Sequence, residues 1–92
     1  MIVNLYATFR LHAGVKTLSL DLPTGATVFD AVNDIVTRLP ALRGDWLDDE
    51  GRLHAHVHIF INGNDTAGLA EGLNTPLNPD DVLDFFPPVA GG

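Results

Sequence analysis

Apolar residues in this chain follow a helical period once, and a period of two on either side of it. Val28, Val32, Ile35, Val36 and Leu39 recur at helix spacing, which predicts one amphipathic helix with a single apolar stripe. Upstream, Val3, Leu5, Ala7 and Phe9 alternate with Asn4, Tyr6, Thr8 and Arg10, so Ile2 to Arg10 is expected as a strand. His12-Ala13-Gly14 turns the chain, and Lys16 to Leu22 alternates again with Leu18, Leu20 and Leu22 inward, completing a hairpin. Downstream, Ala55, Val57, Ile59 and Ile61 point one way between His54 and Asn62, and Val82 to Phe86 forms a final strand. Every element has one apolar face. The economical packing is therefore a mixed sheet with the helix across its inner side.

Breakers and caps sharpen these boundaries. Thr27 opens the helix, with Asp30 three positions on as an imperfect capping-box partner, and Pro40 closes it. Leu42, Trp46 and Leu47 suit a short helical turn over the core edge, whereas Asp45, Asp48, Asp49, Glu50 and Gly51 suit a solvated loop. Asn62-Gly63-Asn64-Asp65 is a strong turn signal. From Thr66 to Asn78 irregular structure is expected, with Leu69, Leu73 and Leu77 inward, before Pro79-Asp80-Asp81 turns into the last strand. The fold class is α+β. If the first and last strands run parallel as central neighbours, the arrangement is a β-grasp, with residues 1–86 as the domain and 87–92 as an extended tail.

A chain of 92 residues with 46% hydrophobic content forms one core and needs no staples. It has no cysteine, so disulfides and thiol chemistry are excluded, and a reducing compartment suits it. The formal charge of −7 comes without a basic cluster and would repel a phosphate backbone. No nucleic acid partner is expected, and a basic protein groove fits better. No basic leader or apolar run of membrane length is found, so no membrane association is expected and the chain reads as soluble and cytoplasmic.

The tail carries the functional signal. After Asp84-Phe85-Phe86, Pro87 and Pro88 release the chain from strand pairing and hold it extended. Val89, Ala90, Gly91 and Gly92 follow, the two glycines removing side-chain bulk from the approach to the terminal carboxylate. Tyr6, Phe60, Val82 and Phe86 all fall on outward positions, so neighbouring strands would gather them into an apolar patch at the root of the tail. His54, His56 and His58 also alternate outward. Their ends would stand roughly 13 Å apart at the backbone, which strains ligation by all three, and no metal site is assigned.

Phe85-Phe86-Pro87-Pro88-Val89-Ala90-Gly91-Gly92, with the Ala26-Thr27-Val28 helix opening and the Pro79-Asp80-Asp81-Val82 turn, resembles the ubiquitin-like sulfur carrier family. The likeness spans essentially the whole chain and is strongest to the branch of the molybdopterin synthase small subunit. The segment from Pro40 to His58, including Arg52-Leu53-His54, is similar instead to longer carriers, one of which feeds cysteine synthesis. The resemblance implies a cosubstrate with no acid, base or metal of its own. A free carboxylate, with a pKa near ~3.5, is a poor electrophile at neutral pH. A ubiquitin-activating-type adenylyltransferase would join Gly92 to AMP from ATP, and a persulfide enzyme would supply sulfur to form a thiocarboxylate. No cofactor would be bound by the carrier itself. Gly92 would be the reacting residue. Gly91, Ala90, Pro88, Pro87, Phe86, Val82, Phe60 and Tyr6 would contact partners, foremost the synthase large subunit. Other acceptors in cysteine synthesis or tRNA thiolation, conjugation to lysines as a protein modifier, and a plain β-grasp binding module with an inert terminus are the alternatives.

Overall fold

A computed structural model describes residues 1–88 of the 92. The chain runs through β1 (Ile2–Leu5), α1 (Ala7–Ala13), β2 (Thr17–Ser19), α2 (Val28–Arg38), α3 (Arg43–Trp46), β3 (His58–Ile61), β4 (Asn64–Asp65) and β5 (Val82–Phe86). Short 3-10 turns at Pro40–Leu42, Thr66–Gly68 and Gly72–Asn74 fill the connections. The strands form one five-stranded sheet in the order β2-β1-β5-β3-β4. β1 and β5 are parallel, with Val3 opposite Leu83 and Leu5 opposite Phe85, while every other pair is antiparallel. This is the expected β-grasp: the first and last strands meet at the centre of the sheet.

Alternation on β5 and its neighbours decides what is buried. Val3, Leu5, Ile59, Leu83 and Phe85 point inward and are essentially inaccessible, facing Val28, Ala31, Val32, Ile35 and Val36 of α2. α2 starts where expected, and its capping box is complete. The Asp30 N–H donates to Thr27 Oγ1 at 3.2 Å, and the Thr27 N–H donates to Asp30 Oδ2 at 2.9 Å. Asp is a shorter partner than Glu, yet it reaches.

Three expectations are corrected. The first strand ends at Leu5 instead of continuing to Arg10, because the chain turns at Ala7, φ 51°, into α1. Phe9 still reaches the core, now from a helix, since a spacing of four after Leu5 serves a helix face as well as a strand face. Arg10 and His12 occupy the last turn and Gly14, φ 77°, stops the helix in the left-handed region. Leu18 accordingly lies on a strand of only three residues, Leu20 is buried just beyond it, and Leu22 is half-buried outside the ladder.

The third strand begins at His58, four residues later than expected. Leu47 bridges Leu53 and closes a tight acidic loop, in which Asp48 Oδ1 accepts from the Glu50 and Arg52 N–H groups, both at 2.9 Å. The Val57 N–H then donates to the His54 oxygen at 3.1 Å, a turn that leaves Ala55 exposed. Trp46 is the third correction. It lies fully buried in the core instead of over its edge, stacked on Phe85 at 4.4 Å between ring centres with Phe9 edge-on at 5.5 Å. The stretch from Pro40 to Val57 is thus a plug as well as a connection. Among the described residues no helix is long and apolar enough to cross a membrane.

Candidate functional site

The outward row of β5 is Val82, Asp84 and Phe86, and the ladder fixes what stands beside each. Asp84 pairs in register with Asn4 on β1 and Phe60 on β3, and Phe86 pairs with His58. Tyr6 extends the parallel pairing one step past β1 by donating its N–H to the Phe85 oxygen at 3.3 Å. Its ring therefore arrives beside Phe86. The two rings stack with centres 4.2 Å apart and planes 11° apart, and Phe60 meets Phe86 edge-on at 5.4 Å. Offset and edge-to-face pairs of this kind each contribute about 0.5–1.5 kcal/mol beyond their burial. The face is ordered, yet Tyr6 stays 37% exposed and Phe86 half-exposed, so it remains available to a partner.

A carboxylate interrupts the patch. Asp84 Oδ1 accepts from Asn4 Nδ2 at 2.9 Å and from Tyr6 Oη at 3.3 Å. Partial desolvation, then the charge of Asp84 and this hydrogen bond, push the Tyr6 hydroxyl above its ordinary value of 10.0, so it stays a neutral donor. Tyr6, Phe60 and Phe86 come together as expected, whereas Val82 lies on the far side of Asp84 along the same row. The patch is an aromatic cluster with a polar centre instead of an uninterrupted apolar surface. Asn4 and Asp84 were not singled out from the sequence, although the period of two on β1 and β5 already puts both outward.

Pro87 is half-buried and Pro88 exposed, directly after the end of β5 at Phe86. Ala90, Gly91 and Gly92, expected at the reactive end, lie outside the described residues. The histidines do not form an outward triplet on one strand. His58 is on β3, but His54 and His56 sit in the preceding turn with rings stacked at 5.0 Å. Among the described residues no group of three or more His, Asp or Glu could hold a metal ion.

A parallel pair of terminal strands, one main helix beneath and an aromatic outer face define a ubiquitin-like β-grasp domain. The model of the ThiS family matches residues 3–92. The chain belongs to that family, whose members are ubiquitin-like sulfur carriers and protein modifiers. It is 33% identical to small archaeal modifier protein 3 of Haloferax volcanii over 98% of this chain and 96% of that one. The crystal structure of SAMP1 from the same organism superposes with a TM-score of 0.88 at 34% identity, covering 99% and 97% of the two chains. A protein described as molybdopterin converting factor, subunit 1, from Pyrococcus furiosus superposes at 0.72 with 30% identity, covering 96% and 95%.

Proposed function

We propose that this protein is a sulfur carrier whose Gly92 carboxylate is activated and converted to a thiocarboxylate, with the molybdopterin synthase large subunit as acceptor. The supporting observation is continuity: the Tyr6–Phe86–Phe60 cluster ends at the last strand residue, directly before Pro87 and Pro88. A partner holding that cluster also fixes where the tail leaves the domain. An extended chain covers about 3.3 Å per residue, so the six residues after Phe86 span roughly 20 Å, enough to reach a buried active site.

In the first step the carboxylate attacks the α-phosphate of ATP, giving the acyl-adenylate and releasing pyrophosphate. A persulfide sulfur then displaces AMP, and a thiol cleaves the resulting S–S bond to leave the thiocarboxylate. The chain has no cysteine, so no thiol of its own can carry the sulfur, and the terminal carboxylate is the group left to do so. No catalytic group of this chain takes part. It is a cosubstrate for an adenylyltransferase and a persulfide enzyme, and residues 87–92 act as a tail separate from the domain at 1–86.

Intact-mass measurement after incubation with the activating enzyme, ATP and a sulfur source tests the reading, one oxygen-to-sulfur exchange at Gly92 being expected. An unchanged mass beside a demonstrably active enzyme would leave a binding module with an inert terminus. A second reading has support of its own, because two of the relatives above are modifier proteins at 33% and 34% identity over nearly their full lengths. Gly92 would then be joined to lysine amines of other proteins, and adducts of increased mass on those proteins would identify it.

A further inference from the structure

We infer that the cleft between β1, α1 and β2 receives a carboxylate side chain of the activating enzyme, and so sets the register in which that enzyme docks. This rests on the docking role proposed above. The cleft is an open depression of about 270 Å³ lined by Asn4, Leu5, Tyr6, Arg10, Lys16 and Thr17, two cations and no acid. Two separate elements bring the cations together. Arg10 follows Tyr6 by one turn of α1, its N–H donating to the Tyr6 oxygen at 3.4 Å. Gly14 then ends the helix, and the return strand is pinned by the Leu5 N–H donating to the Lys16 oxygen at 2.9 Å.

The other cations of the chain are differently placed. Arg38 pairs with Asp34 at 3.1 Å, and Arg52 pairs with Asp48 at 3.4 Å and with Glu50. Among the described residues Arg10, Lys16 and Arg43 form no ion pair, and only the first two share a cleft. Asp84, on the adjoining face, is already engaged by Asn4 and Tyr6. Tyr6 is the common wall. One side of its surroundings is the cleft, and its ring stacks on Phe86, so a group seated in the cleft belongs to whatever covers the aromatic cluster.

Charge complementarity supplies the occupant. A chain of −7 attracts a basic partner surface, but such a surface alone would settle in many registers. Two cations without an ion-pair partner among the described residues, beside the cluster, disfavour a uniformly basic rim and favour one that places a carboxylate there. The mark is a local exception to the global charge, and specificity of that kind works by penalising wrong registers.

The test turns on the sign of the effect. Replacing both cations, Arg10→Glu with Lys16→Glu, makes the chain more acidic by four charges, from −7 to −11. Steering by global charge alone then predicts tighter binding to the basic partner. The notch predicts binding to the activating enzyme weaker by about 10-fold or more. Arg43→Glu, which shifts the global charge away from the cleft, is expected to bind as the parent or slightly tighter. Arg10→Lys and Lys16→Arg keep the charges and are expected within about 3-fold of the parent. Thermal melts of each variant separate a lost contact from a lost fold, both cations being on the surface. A double reversal that melts like the parent and binds as tightly or more tightly overturns the notch. Thiocarboxylate formation by the parent, followed in the same samples, reports on the carrier reading independently of the variants.

Discussion

Phe85 and Phe86 are neighbours on one strand, and the sheet sends them to different tasks. Phe85 is wholly inaccessible and stacks on Trp46, which in turn meets Phe9. Phe86 is half-exposed and stacks on Tyr6 with Phe60 at its edge. Both have aromatic partners at similar distances, so packing geometry does not tell them apart. Water does. The inner trio removes its area from solvent on folding, while the outer trio retains part of that area in contact with water. The energy of the first appears as stability, and that of the second, in the docking role proposed above, would appear as affinity.

The comparison can be broken most directly at the inner trio. Phe85→Ala or Trp46→Ala is expected to cost about 3–5 kcal/mol in chemical denaturation, a large share of the stability of a domain this size. Trp46→Phe keeps a ring against Phe85 and deletes the indole N–H, a buried donor with no partner among the described residues, so it is expected to cost much less. A loss from Trp46→Phe equal to that from Trp46→Ala would show that the stack is not what matters.

At the outer trio the expectation moves from folding to binding. Burying a Phe is worth about 1.5–3 kcal/mol, so Phe86→Ala should weaken binding to the synthase large subunit or the activating enzyme by about 10- to 150-fold. Phe60→Ala should act in the same direction, and calorimetric titration reads both. Neither should unfold the domain. Parent-like affinity for both variants would remove the docking role of the face.

Asn62 probes whether every outer residue is for recognition. It follows β3 with φ 50°, donates from Nδ2 to Asp81 Oδ1 at 2.9 Å and accepts the Val82 N–H on Oδ1 at 2.9 Å. Asn62→Ala is expected to cost about 1–2 kcal/mol of stability by denaturant unfolding, through lost hydrogen bonds and left-handed strain. An unchanged midpoint would make it an ordinary surface position.

The smallest effect is spectroscopic. Tyr6 is the one tyrosine, so phenolate absorbance titrates it alone. Its midpoint should lie above 10.0, and Asp84→Asn should bring it down. Since the folded state holds this proton more tightly, the associated stability is present below 10.0 and is lost as pH rises through the folded value. A parent midpoint at or below 10.0 would mean that the Tyr6–Asp84 bond does not persist in solution.

Much of the architecture was legible because period and burial coincide on α2 and β5. Val28 to Leu39 has no alternative to a helix, and Val82 to Phe86 has the bounds the turn and the prolines imply. The outer aromatics were legible for the same reason. What misled was a spacing with two meanings. Leu5, Ala7 and Phe9 fit a strand, but Leu5 and Phe9 also fit a helix face, and Arg10, His12 and Gly14 formed the end signal that should have decided it. His54 to Val57 imitated a strand because alternation ignores the Leu47–Leu53 bridge that bends the chain. The depth of Trp46 was not readable, since burial of the Pro40–Val57 plug depends on contacts far away in sequence. The roles of Asn4 and Asp84 followed from the same alternation but were overlooked, as a carboxylate is not expected within an apolar patch.

The parallel pairing of β1 with β5 has a consequence for synthesis. Ile2 meets Val82 at a sequence separation of eighty, so β1 cannot take its central place until β5 has been translated. Contacts so distant close slowly, because the intervening loop must be ordered before any reward is collected. A nascent chain stopped before Val82 lacks the middle of its sheet and the tail together. Folding competence is therefore gained late, and a chain ended before Val82 has no finished outer face.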